Sequence, residues 1–173
     1  PYSLAASDFD GDGKQDIAVA VYGSNKISIL RNTSTLGTPS FATAVEYTVN
    51  SPYGISVGDL DGDGKEDIVS ANLTSNNLSI LKNLSSTGTI SFEALPTIAT
   101  NSKVYNVAIA DIDGDGKLDL TTAAYDSNAI LIFKNQSVSG SITYAAPTSV
   151  ATEGNPAYVV VGDLNGDNFP DLL

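Results

Sequence analysis

Apolar residues recur in short runs broken by turn-forming residues, at a spacing that suits strands and fits no helix. Ile17 to Val21, Ile68 to Ala71 and Leu120 to Ala124 form three such runs. Each leads through a Ser-Asn pair (Ser24-Asn25, Ser75-Asn76, Ser127-Asn128) into a second run: Ile27-Ser-Ile-Leu, Leu78-Ser-Ile-Leu or Ile130-Leu-Ile-Phe. Val, Ile and aromatic residues suit a pleated sheet, while Ser, Asn and Gly close its turns. No stretch keeps a 3.6-residue apolar period long enough for a helix.

The pattern repeats. Asp8-Phe-Asp-Gly-Asp-Gly-Lys-Gln-Asp16 returns at Asp59, Asp111 and Asp163, after steps of 51, 52 and 52 residues. Its flanks return too: Pro1, Pro52, Val104 and Pro156 stand seven residues before each first Asp. A last aromatic-bearing segment, such as Ser91-Phe-Glu-Ala-Leu, closes a unit. The chain therefore divides into units 1–51, 52–103 and 104–155, with an incomplete fourth at 156–173. Each complete unit reads as four short antiparallel strands, the size of one β-propeller blade. The expected fold class is all-β: three complete blades plus the start of a fourth, as a partial propeller or a ring completed by oligomerisation. A β-sandwich array is an alternative. A β-helix fits less well, because its coils are far shorter than this period.

Composition narrows the chemistry. The chain has no Cys and no His, which removes thiol nucleophiles, cysteine-ligated zinc, imidazole bases and disulfides. No candidate base, nucleophile or substrate-facing constellation accompanies the repeats, so an enzyme is not expected. The net charge of −12 would repel phosphate backbones, so nucleic acid is not an expected partner. No apolar run is long enough to span a bilayer, so membrane insertion is not expected either. The chain begins at Pro1 and contains no Met, which reads as an excerpt or a processed product of a longer chain.

The acids are concentrated in the nine-residue motif. Of the 20 acidic residues, only Glu46, Glu66, Glu93, Asp126 and Glu153 lie outside it. Carboxylates at positions 1, 3, 5 and 9 and a backbone carbonyl at position 7 can surround Ca²⁺, a hard ion that takes six to eight oxygens. The ligand sets would be Asp8, Asp10, Asp12, Lys14 and Asp16; Asp59, Asp61, Asp63, Lys65 and Asp67; and Asp111, Asp113, Asp115, Lys117 and Asp119. The lysines would offer carbonyls and send their ammonium groups into water. Gly13, Gly64 and Gly116 at position 6 would allow a positive φ. The fourth set, Asp163, Asn165, Asp167, Phe169 and Asp171, has one charge fewer and Asn168 in place of Gly, and should bind most weakly. An EF-hand is excluded: position 12 holds Val19, Ser70 or Thr122 rather than Glu, and strands follow. Four ions would move the net charge from −12 to −4. Without a cation, four clustered carboxylates would repel one another. The plain alternative is a set of solvated Asp/Gly turns.

Tyr2, Tyr53, Tyr105 and Tyr158 near the unit starts read as packing between blades rather than as a carbohydrate-stacking row. The sequons at Asn32, Asn72, Asn77, Asn83 and Asn135 arise readily from composition. Asn32, Asn83 and Asn135, each following Arg or Lys, read as turn-forming strand ends.

On the acidic loop, the Asp-Ile/Leu that follows it and the Ile-Ser-Ile-Leu-Arg/Lys-Asn strand, the chain resembles the FG-GAP/VCBS repeat family of integrin-α propellers and bacterial extracellular proteins. The resemblance covers essentially the whole chain. The integrin-style Phe-Gly and Gly-Ala-Pro signatures are not intact, which places it nearer the bacterial branch. It implies a propeller of about seven blades, structural calcium in the hairpin between the first two strands, and secreted or cell-surface adhesion through other loops. The partner expected is a protein or glycan ligand, with the rest of a longer chain or further copies completing the ring. Alternatives are a lectin-like glycan binder, or an accessory or fragment domain of a secreted polysaccharide- or lipid-acting enzyme. An engineered repeat fits less well, because the units are not identical.

Overall fold

The computed structural model describes residues 1–167 and 169–173 and is built of antiparallel strands; its helical content among the described residues is two short 3-10 turns, Tyr22–Ser24 and Tyr125–Ser127. In the first blade, β1 (Ser3–Ser7), β2 (Asp16–Val21), β3 (Lys26–Leu30) and β4 (Val45–Thr48) pair in sequence order. In the second, β5 (Pro52–Gly58), β6 (Asp67–Asn72) and β7 (Asn77–Asn83) are followed by an outer strand in two pieces, β8 (Phe92–Ala94) and β9 (Ile98–Ala99), both paired with β7. The third blade comprises β10 (Ala108–Ala110), β11 (Asp119–Ala124), β12 (Ala129–Phe133) and β13 (Thr148–Ala151). A two-stranded start of a fourth follows: β14 (Val161–Gly162) and β15 (Asp171–Leu172). The Ser-Asn turns between second and third strands place Asn25, Asn76 and Asn128 at φ of 50–55°, a left-handed conformation that Asn tolerates well.

Blades stack through their apolar faces. Phe9, Ala18, Ala20, Ile27 and Ile29 of the first blade pack on Ile55, Ile68, Leu81 and Phe92 of the second. Leu60, Val69, Leu78 and Ile80 then meet Val107, Leu120, Leu131 and Phe133 of the third. The central strands record this arrangement. In β6 and β11 every residue is buried, whereas β2 alternates buried and half-buried because one face of the first blade meets no neighbour among the described residues.

The same repeat position therefore changes environment along the arc. Ile55, Val107 and Val159 are 8%, 3% and 1% exposed, while their counterpart Leu4 is 69% exposed. At the other end Leu164 is 61% exposed, although its counterparts Phe9 and Leu60 are buried.

Polar contacts cross the junctions as well. Ile55 N–H donates to Ser3 Oγ (3.3 Å), Ser56 Oγ donates to Val107 O (2.6 Å), and Asn106 holds both N–H and C=O of Val159. At Gly54 the second blade approaches the third so closely that a Cβ would lie 2.4 Å from Tyr105 O. The tyrosines form a ladder across the first three blades: Tyr2 stacks on Tyr53 at 4.5 Å, Tyr53 meets Tyr105 edge-on at 5.5 Å, and Tyr22 and Tyr125 flank the row. The ring contacts are therefore packing between blades.

Candidate metal loops

Each acidic motif forms the hairpin between the first two strands of its unit, and its last Asp opens the second strand. Antiparallel pairing brings the ends of the motif together: Ser7 faces Asp16, Gly58 faces Asp67, and Ala110 faces Asp119. The intervening residues must then coil back, and glycine makes this possible. Gly13, Gly64 and Gly116 adopt φ of 85–86°, as position 6 requires. Gly11, Gly62, Gly114 and Gly166 at position 4 also take positive φ, between 72° and 81°. The sharp turn therefore rests on two glycines rather than on position 6 alone.

Backbone N–H groups orient the carboxylates. The position 1 side chain accepts from positions 5 and 6: Asp8 from Asp12 (3.0 Å) and Gly13 (2.7 Å), Asp59 from Asp63 (3.1 Å) and Gly64 (2.8 Å), and Asp111 from Asp115 (3.1 Å) and Gly116 (2.8 Å). The position 5 carboxylate accepts from position 7, as Asp12 does from Lys14 N–H at 2.9 Å. The position 9 carboxylate is pinned on both oxygens. Asp16 accepts from Phe9 and Asn32, Asp67 from Leu60 and Asn83, and Asp119 from Ile112 and Asn135.

This preorganisation gathers oxygens. One carboxylate oxygen from each of Asp8, Asp10 and Asp16 lies within 4.8 Å of the others; so do those of Asp59, Asp61 and Asp67, and those of Asp111, Asp113 and Asp115. The first two groups join positions 1, 3 and 9, and the third joins positions 1, 3 and 5. In the fourth motif Leu164 N–H donates to Asp171 (2.9 Å) and Phe169 N–H to Asp167 (2.8 Å), while Asn168 lies outside the described residues.

The electrostatic cost is visible at position 9. Burial pushes the Asp67 carboxyl up to about 6; backbone hydrogen bonds from Asn83 and Leu60 act against the shift, and the charges of Asp61 and Asp63 add to it. Burial likewise raises Asp16 and Asp119 above the ordinary carboxylate value. Donors restricted to carboxylate and carbonyl oxygen, with no imidazole or thiolate, suit a hard divalent ion of the calcium type.

Sequence reasoning missed two supporting groups. The first is the cation that ends the third strand. Lys82 Nζ pairs with the buried Asp61, Lys134 Nζ pairs with Asp113 and Asp115, and Arg31 stands 3.9 Å from Asp10. Burial works against the charged form of Lys82, but its hydrogen bond to Asp61 and the surrounding carboxylates hold its pKa above the ordinary value. The second is the Asn that follows the cation. Asn83 Nδ2 donates to Glu66 O in its own blade and to Phe9 O in the preceding one, both at 2.9 Å. Asn135 does the same with Leu118 O (2.8 Å) and Leu60 O (2.9 Å). These residues are junction bridges as well as strand ends. At 1% exposure with their amides engaged, Asn83, Asn135 and Asn72 have no room for a glycan. The position 7 lysines also differ from the expected water-facing pose: Lys65 and Lys117 donate to Ser85 O and Ser137 O, and Lys14 pairs with Asp12.

Comparison with known proteins agrees with this architecture. No curated protein matches the chain significantly by sequence. A solved structure described as a crystal structure of BBS1N in complex with ARL6DN, soaked with mercury, superposes with a TM-score of 0.59 at 18% identity. The match covers 92% of this chain and 47% of that one, so this chain spans about half its length. The FG-GAP-like repeat family matches residues 8–70, 59–122 and 120–173. Loop, strand order and period thus converge, and the chain belongs to the FG-GAP-like repeat family.

Proposed function

We propose that the chain is a calcium-stabilised propeller segment that acts as an extracellular, non-catalytic binding or adhesion scaffold. The observation that carries this reading is the convergence of three carboxylates within 4.8 Å in each of three equivalent hairpins, held there by backbone N–H groups. The ligands are the side chains of Asp8, Asp10, Asp12 and Asp16; Asp59, Asp61, Asp63 and Asp67; and Asp111, Asp113, Asp115 and Asp119, with the carbonyls of Lys14, Lys65 and Lys117. The fourth loop (Asp163, Asn165, Asp167, Phe169, Asp171) contributes the weakest site. When bound, the ion neutralises the repulsion among the carboxylates and ties the first two strands together.

The ion's role would be structural, because the four side chains and the one carbonyl of each loop would surround it with protein oxygens. Recognition of a protein or glycan then falls to other loops. Calcium at extracellular concentrations would keep such loops loaded, which supports a secreted or cell-surface setting; no described helix is long and apolar enough to cross a membrane. The uncovered face at Leu4 accepts a further blade of the same kind, because Ile55 and Val107 at that position are buried by the blade before them.

Thermal unfolding in millimolar calcium and in chelator tests the reading. Each site held at about 100 times its dissociation constant adds roughly 2.7 kcal/mol, so the midpoint should rise by many degrees. An unchanged midpoint would remove calcium from the account.

A further inference from the structure

The carboxylate at position 3 has two relationships. Asp10 belongs to the oxygen cluster of the first loop, yet its Oδ2 also accepts the N–H of Gly88 at 2.8 Å, and Gly88 lies in the turn between β7 and β8 of the next blade. Asp61 repeats the arrangement one blade on: it belongs to the second cluster, and its Oδ2 accepts Gly140 N–H at 3.1 Å from the third blade. The third loop provides an internal contrast, because Asp113 accepts no N–H from the fourth unit among the described residues. The side chains of Asp10 and Asp61 are 0% and 1% exposed, and that of Asp113 is 38% exposed.

We propose that this carboxylate couples metal occupancy to blade seating in one direction: an ion in the first loop tightens the junction with the second blade, and an ion in the second loop tightens the junction with the third. The inference rests on the calcium reading above and adds a regulation of the same loops. An ion that fixes the position 3 carboxylate also fixes the acceptor for the next blade's turn. Linkage makes the effect reciprocal, so a seated turn raises the loop's affinity for the ion. The first two loops, whose position 3 carboxylates each hold a turn of the next blade, therefore gain calcium affinity from that contact.

Amide hydrogen exchange at Gly88 and Gly140 reads the coupling directly. Calcium should slow exchange at both amides on the order of tenfold. Asp12→Ala, which removes a first-loop ligand whose hydrogen bonds and ion pair stay within its own loop, should abolish the slowing at Gly88 and leave Gly140 unchanged. Asp63→Ala should do the reverse, and Asp115→Ala should affect neither. If either variant fails to fold, titration of the unmodified chain still decides: calcium that binds by calorimetry without slowing either amide overturns the coupling and leaves the metal sites standing. Two amides that respond alike to every variant overturn its direction. Absence of any calorimetric binding removes the calcium reading, and the coupling with it.

Discussion

Replacing Asn83 by Ala should cost far more than the same change at Asn32, although the two residues occupy one repeat position. Asn83 makes three side-chain hydrogen bonds, to Phe9 O, Glu66 O and Ser85 N–H, and is 1% exposed. At about 1 kcal/mol each, their loss costs about 3 kcal/mol, with more for any partner left dry. Among the described residues Asn32 makes two such bonds, to Gln15 O and Ser34 N–H, both within its own blade, and is half-buried. Water can replace its partners, so Asn32→Ala should cost about 1 kcal/mol. Asn135 bridges like Asn83 and should behave like it. For a chain of this size about 3 kcal/mol corresponds to about 6–12 °C in Tm. The assay is urea unfolding at fixed calcium for the three Asn→Ala variants. Equal losses at all three positions would show that the bridge to the preceding blade contributes nothing, and the account of the junctions would fail.

Three further outcomes concern other packed or paired positions. Gly54→Ala should destabilise by about 1–3 kcal/mol, since the new methyl would meet Tyr105 O at 2.4 Å; a neutral variant would mean that the second and third blades separate freely. Phe9→Ala should cost about 3–5 kcal/mol, while Leu164→Ala at the same repeat position, 61% exposed, should be nearly silent in denaturant melts. Lys82→Gln should lower the melting temperature in chelator, because Asp61 loses its buried counter-charge. The same variant should bind calcium more tightly in the second loop, and weaker calorimetric binding would count against the ammonium as a local competitor.

Much of this was legible in the sequence because the repeat supplies its own controls. The period fixed the strand order, the acidic motif marked the hairpin between the first two strands, and the Ser-Asn pairs marked the next turn. All of these are local signals, decided by backbone geometry within a few residues. What stayed hidden depends on contacts between residues far apart in the chain. Nothing local distinguishes Asn83 from Asn32, or Asp61 from Asp113; the difference is whether a neighbouring blade covers them. The split outer strand of the second blade, β8 and β9, was equally unmarked. Nor does the immediate sequence of the position 7 lysines reveal their partners, since the carbonyls that hold Lys65 and Lys117 lie 20 residues further on.

The tyrosine row has an optical consequence. With no Trp in the chain, its eight tyrosines provide the aromatic emission, and five of them sit in ring contact across three blades. Excitation absorbed at one ring can pass to the next, and the stacked Tyr2 and Tyr53 should couple their transitions in the near-ultraviolet circular dichroism. Slippage between blades would break that chain of rings before the strands themselves melt. The protein thus carries its own spectroscopic ruler, one that reports on the seams of the arc without any added label.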